Sequence, residues 1–144
     1  MRRTFRLGAI IMLLILACAS AASAQDDAKI PERPIVKSGE IPLYPHLARV
    51  AQIAGTVQVE VTTDGNAITK VSATGAHKLL QEAAEQNVRA WRFYSHKPQT
   101  FTVTFVYKVE GPEVFGDVNP TVLLELPNHV EVRTKMPRPD EATR

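Results

Sequence analysis

Hydrophobic residues recur along this chain with two different periods, and the period changes where glycine and proline fall. From Thr56 to Thr63 the alternation is strict. Val57, Val59 and Val61 stand opposite Gln58, Glu60 and Thr62, which predicts a half-buried strand. Asp64-Gly65, extended by Asn66, predicts a hairpin turn. In the returning strand, Ala67 to Ala73, Ile68 and Val71 lie three apart, so a bulge or sharp twist is expected. After Gly75 the period lengthens. Leu79 or Leu80, Ala83, Ala84, Val88 and Trp91 recur at helical spacing over His77 to Arg92, while Lys78, Gln81, Glu82, Glu85, Gln86 and Arg89 form a solvated face. Past a turn at Ser95 to Gln99, Phe101, Val103, Phe105, Tyr107 and Val109 alternate with Thr102, Thr104 and Lys108, the strongest strand pattern in the chain. Upstream, Leu47, Val50, Ala51 and Ala54 follow Pro45 at helical spacing and stop at Gly55, which predicts a short helix of about two to three turns.

The order helix, strand, strand, helix, strand predicts an α+β fold in two layers, with the helices packed on one face of a three-stranded antiparallel sheet. Trp91 and Phe93 would close the core between the second helix and that sheet. Two further strand-like runs, Thr121 to Leu126 and His129 to Thr134, flank Pro127-Asn128 and predict a β-hairpin appended over residues 112–134. The domain proper is thus expected over 41–111. An extended, polar, proline-containing lead-in over 25–40 precedes it, and a polar, proline-containing tail over 135–144, expected to be disordered, follows.

The first 24 residues have a different build. Arg2, Arg3 and Arg6 precede the apolar run Gly8 to Ala17, and Ala22-Ser23-Ala24 supplies the small-x-small pattern of a cleavage site before Gln25. This predicts a secretory signal and a periplasmic or secreted product. Two alternatives stay open: an uncleaved inner-membrane anchor over Gly8 to Ala24, and lipid attachment at Cys18, which follows Ile15-Leu16-Ala17. Processing changes the charge. The whole chain has 17 Lys+Arg against 15 Asp+Glu; without the three signal arginines, 14 basic residues face 15 acidic ones. A near-neutral domain without a Lys/Arg cluster gives no support for nucleic-acid binding, which needs a phosphate-neutralising patch. Cys18 is the sole cysteine, so the processed chain would have neither a disulfide nor a thiol ligand.

The ordered set Tyr44-Pro45, Ala48, Gly55-x-Val57-x-Val59, Asp64-Gly65, Gly75, Leu79-Leu80, Ala83-Ala84, Val88, Trp91-Arg92-Phe93 and the strand Phe101 to Tyr107 resembles the C-terminal domain of the TonB family of energy-transducing proteins. The resemblance covers Leu43 to Gly111. It implies a periplasmic recognition module that adds an extended segment of an outer-membrane receptor to its sheet edge. In that mode main-chain hydrogen bonds supply affinity and alternate side chains supply selectivity. Carried onto this chain, it implies a receiving edge at Phe101, Val103, Phe105, Tyr107 and Val109, flanked by Ile41, Leu43 and Tyr44. It implies envelope proteins, TonB-dependent receptors among them, as partners, with no cofactor. Departures are visible. The start is signal-like, and the 25–40 lead-in spans roughly 50 Å when extended, where family transducers carry a long spacer. Tyr94-Ser95-His96-Lys97 displaces the proline that follows Trp-x-Phe, and the Val122–Thr134 hairpin lies outside the pattern and could cover the free edge.

Catalytic chemistry finds no foothold in the sequence. His46, His77, His96 and His129 lack metal-ligand spacing, and surface or helix-start positions are expected for them. Nucleophile elbow, phosphate loop and dinucleotide fingerprint are absent, and the scattered acidic residues nominate no acid–base pair. The reading is a non-enzymatic, exported protein that binds extended segments of envelope proteins. The alternatives are an energy transducer with a retained anchor, and an assembly factor whose hairpin completes the sheet or swaps in a homodimer.

Overall fold

In chain order the elements are β1 (Val36–Ser38), α1 (His46–Val50), β2 (Gly55–Thr63), β3 (Ile68–Gly75), α2 (Lys78–Arg89), β4 (Arg92–Phe93), β5 (Gln99–Val109), β6 (Thr121–Glu125) and β7 (His129–Thr134). They come from a computed structural model, which describes residues 30–116 and 118–138. The export signal, the Ala24–Gln25 cleavage and Cys18 lie outside the described residues, as does the end of the tail.

The β2–β3 hairpin forms where the sequence marks it. The Asp64 side chain accepts hydrogen bonds from the N–H groups of Asn66 (2.9 Å) and Ala67 (2.8 Å). These hold its carboxyl below the usual range. Gly65 takes φ +102°, where a Cβ would meet the His96 carbonyl oxygen at 2.5 Å. The irregular return strand carries the expected bulge, with the register shifting between Thr62 and Thr63. β5 then pairs antiparallel with β2 over nine positions, from Gly55↔Tyr107 to Thr63↔Gln99.

The α+β class stands, but the sheet is not the three-stranded antiparallel one that the periodicity predicts. It has five strands in the order β3-β2-β5-β7-β6, and a separate two-stranded sheet joins β1 to β4. The hairpin inserts β7 parallel to β5, from Thr104↔His129 to Val109↔Thr134, and β6 runs antiparallel outside it. The physical reason lies in the side chains. Val130 and Val132 face the core side, level with Phe105 and Tyr107, and all four are essentially fully buried. A pendant hairpin would leave these faces in water at a cost of about 1.5–3 kcal/mol per large side chain.

α2 packs Leu80, Ala84 and Val88 onto the valines of β2, and Trp91 continues that layer against Phe105, with ring centroids 6.4 Å apart. α1 has five residues and buries Ala48 and Arg49, whereas Leu47 and Val50 are exposed. That reverses the face expected from their spacing. Tyr44 fixes the orientation, because its ring stands edge-on to Tyr107 (5.4 Å) and its hydroxyl donates to the Ile53 carbonyl at 2.6 Å.

The lead-in is tied down from Pro31 onward. Its carbonyls at Pro31, Ile35 and Glu40 accept from the N–H groups of Lys97 and Tyr94 and from the Asn87 side chain. Asn87 in turn accepts from the Trp91 indole N–H at 3.1 Å.

Candidate functional site

The direction of each main-chain group on β5 follows from one bond. Thr104 N–H donates to Asn128 O at 2.8 Å, on the side away from β2. Because successive residues of a strand point their N–H and C=O to opposite sides, Thr100, Thr102, Thr104, Val106 and Lys108 face outward. Phe101, Val103, Phe105 and Tyr107 face β2. β7 begins opposite Thr104. Among the described residues the outward groups of Thr100 and Thr102 therefore have no strand beside them, and β5 is an edge over its first half.

A groove of about 620 Å³ borders that open half. Arg33, Pro34 and Ile35 form one wall, Phe101 lies at the base, and Leu126 and Pro127 of the β6–β7 turn form the other wall. The first wall is held by Glu32. Its carbonyl accepts from the Gln99 side chain, and its carboxylate pairs with Lys97 at 3.2 Å. Beneath the same end of β5, His96 is buried, contrary to the surface position expected for it. Its Nδ1 lies 2.8 Å from the Tyr94 carbonyl and its Nε2 2.7 Å from the Thr63 hydroxyl. A carbonyl can only accept, so Nδ1 carries the proton. Phe93 packs edge-on between His96 (5.4 Å) and Phe101 (6.0 Å). The open end of β5 thus rests on a fixed, hydrogen-bonded support.

The residues nominated from sequence fall into three groups. Phe101 is half-buried at the groove. Val103, Phe105 and Tyr107 are buried and point their side chains into the core, and Val109 is half-buried at the far end of the strand. The outer edge beside Phe105, Tyr107 and Val109 is taken by β7. Tyr44 is a core residue, and burial pushes its hydroxyl up to about 12. Burial likewise raises Tyr107, whose hydroxyl has no hydrogen-bond partner among the described residues. Ile41 and Leu43 are each 70% exposed. They line a different cleft of about 330 Å³ against Leu79, Ala83 and Gln86 on α2, so they do not form one site with Phe101.

Arg33, Ile35, Thr100, Thr102 and Leu126 were not nominated. Thr100 and Thr102 carried a signal, being the outward positions of the strand's first half, but only the position of β7 shows which half stays open. Catalytic geometry is not what these residues assemble. Among the described residues no three His, Cys, Asp or Glu side chains group to hold a metal ion, and no helix is long and apolar enough to cross a membrane. What the open edge offers chemically is two N–H donors and two carbonyl acceptors beside a groove of mixed apolar and polar lining.

Residues 40–110 match the family model described as the Gram-negative bacterial TonB protein C-terminal. No curated protein and no solved structure matches the chain.

Proposed function

Residues 40–110 belong to the TonB protein C-terminal family, and on that footing we propose that the chain is a non-enzymatic envelope protein that holds an extended segment of another envelope protein by strand addition at the open half of β5. The family is envelope-associated, and its domains bind outer-membrane receptors. A TonB-dependent receptor segment is therefore the first partner to try.

The observation that carries the proposal is the pair of ladder positions, Thr100 and Thr102, unpartnered among the described residues, on a strand half bordered by a groove that Ile35, Phe101, Leu126 and Pro127 line together with Arg33, Gln99 and Asn128. An extended segment laid there would exchange up to four main-chain hydrogen bonds with β5. Each such bond contributes about 0.5–1.5 kcal/mol net. Alternate side chains of the segment would meet Ile35, Phe101 and Leu126, which supplies selectivity for apolar residues at every second position. The β7 strand supports the same reading, since it occupies the rest of this edge in parallel orientation. β5 is thus already a strand acceptor within its own chain.

Thr102→Pro tests the site. It deletes an outward N–H and places a ring on the edge, while the Thr102 side chain is exposed and the β2 pairing keeps its hydrogen bonds. Capture of receptor segments from envelope extract falls at least tenfold with the melting temperature unchanged. Capture equal to that of the unsubstituted chain contradicts the proposal.

Export belongs to the same proposal, with cleavage between Ala24 and Gln25. Amino-terminal sequencing of the protein recovered from cells reads Gln25 first. An intact Met1 instead fits an anchored transducer, and a blocked, lipid-modified Cys18 fits a lipoprotein.

A further inference from the structure

The five-stranded sheet ends in two outer edges, β3 and β6, and they are finished differently. β3 is protected. Its outward Ala73 N–H donates to the Glu85 carboxylate at 2.9 Å, Lys70 stands in mid-strand, and the bulge opposite Thr62 and Thr63 breaks the ladder. Lysines, bulges and covering side chains are the devices that keep edges from pairing with another chain. β6 has none of them. Thr121-Val122-Leu123-Leu124-Glu125 contains no lysine and no proline, and its register with β7 runs without a shift. No side chain of the described residues hydrogen-bonds to its main chain. Leu123 is 50% exposed, and Leu124 and Leu126 are also exposed.

We propose that β6 is the interface through which two copies of this chain pair, strand to strand and antiparallel, about a two-fold axis at Leu123.

Four features of the strand fit that occupant. The first is hydrogen-bond parity. Asn128 O and Thr134 O accept from β5, so the odd-numbered residues of β7 face β6, and through the register Glu125↔His129 to Thr121↔Arg133 the odd residues of β6 face back. Val122 and Leu124 therefore point their N–H and C=O outward. Centred on Leu123, antiparallel self-pairing sets Val122 opposite Leu124 of the second copy and the reverse. These are hydrogen-bonded pairs, and both outward residues of each copy are satisfied.

The second feature is the apolar row. Val122 and Leu124 lie on the core side of the sheet, level with Val132 and Val130. Leu124 and Leu126 line a groove of about 170 Å³ with Trp91 and the Val36–Ile41 segment. The second copy's Val122 falls beside Leu124 on this face and extends the core past the helical layer. The third is charge. Self-pairing sets each Glu125 opposite Thr121 of the other copy, in the row that continues to Arg133, and no like charges stand opposite one another. The fourth is size. A five-residue strand pair is small against a standard interface of ~1,600 Å², so the dimer is reversible, in the roughly micromolar range or weaker.

The inference is independent of strand capture at β5, and its test uses the purified chain with no envelope partner. Sedimentation velocity from about 1 to about 500 µM shows a concentration-dependent shift from monomer to dimer. Leu123→Lys weakens that association at least tenfold without lowering the melting temperature. In a Cys18→Ser background, Leu123→Cys forms a disulfide-linked dimer on mild oxidation. A non-hydrogen-bonded antiparallel pair holds its Cα atoms at about 4.5 Å, within disulfide reach. Lys70→Cys on the β3 edge cross-links far more slowly. A chain that stays monomeric throughout, with Leu123→Cys no faster than Lys70→Cys, overturns the proposal. So does a dimer indifferent to Leu123→Lys, which would place the contact elsewhere. A monomeric chain that loses an envelope partner on Leu123→Lys also overturns it, since the edge would then belong to that partner.

Discussion

Replacing Val132 with alanine removes two methyl groups from a position with no solvent exposure, opposite Tyr107 on β5 and Val122 on β6. At about 0.8 kcal/mol per buried methylene-sized group the transfer loss is roughly 1.6 kcal/mol. Incomplete closure of the space left behind raises the total to roughly 2 kcal/mol. With a urea slope of about 1–3 kcal/mol per molar, the unfolding midpoint falls by roughly 1 M. The assay is urea unfolding followed by Trp91 fluorescence and by far-UV circular dichroism. Trp91 is the sole tryptophan and lies between α2 and Phe105, outside the hairpin. If the hairpin completes the core, both signals shift together and stay superimposable in the variant. A Trp91 transition left at its original midpoint, with an earlier separate loss of ellipticity, would show that the hairpin unfolds alone and would refute the five-stranded account. Leu123→Ala, at an exposed position of the same hairpin, shifts the midpoint by less than about 0.5 kcal/mol in equivalent stability.

The two tyrosines that meet edge to face make opposite predictions. Tyr44→Phe leaves the Ile53 carbonyl without its donor and costs about 1 kcal/mol, whereas Tyr107→Phe removes a buried, unpartnered hydroxyl and is neutral or stabilising; thermal unfolding of the two variants distinguishes them, and equal losses contradict the hydrogen-bond assignment. Glu131 sits below the usual carboxylate range because Arg133, then Lys108, hydrogen-bonds to it. A carboxylate depressed in the folded chain stabilises it above the unfolded value of ~4.3, and that contribution is lost as pH falls through the lower folded value. The stability difference between the parent chain and Glu131→Gln is therefore constant near neutrality and shrinks below about pH 4; a difference that grows on acidification contradicts the pairing.

Several elements are legible in the sequence alone. The alternation Val57-Val59-Val61 and Phe101 to Val109 is strict because each strand has one face in the core and one in water, and the Asp64-Gly65 turn advertises its own hydrogen bonds. α1 buries the face opposite to the one its spacing predicts, because five residues give little more than one turn. Over so short a span the orientation is set by the Tyr44 ring and its bond to Ile53, not by periodicity. The alternation of His129 to Thr134 marks a strand, but nothing local says that it lies parallel to β5. That choice is made by a long-range match of Val130 and Val132 to Phe105 and Tyr107. Glu131 illustrates the same limit. It is buried although charged, and its partner Lys108 comes from another strand. The groove beside Thr100 and Thr102 draws its walls from residues 33–35 and from Leu126 and Pro127, near opposite ends of the described chain. Periodicity cannot bring such segments together, so the proposed receiving edge, expected along the whole of β5, narrows to its first half.

Amide hydrogen exchange on β5, with and without a captured receptor segment, tests the central claim most directly. In the free chain the account predicts fast exchange at Thr100 and Thr102, whose N–H groups point away from β2, and slow exchange at Phe101 and Val103, which donate to β2. On binding, Thr100 and Thr102 become slow while Phe101 and Val103 are unchanged. Binding that leaves Thr100 and Thr102 fast, with protection appearing at Ile41 and Leu43 or along β6 instead, would contradict it.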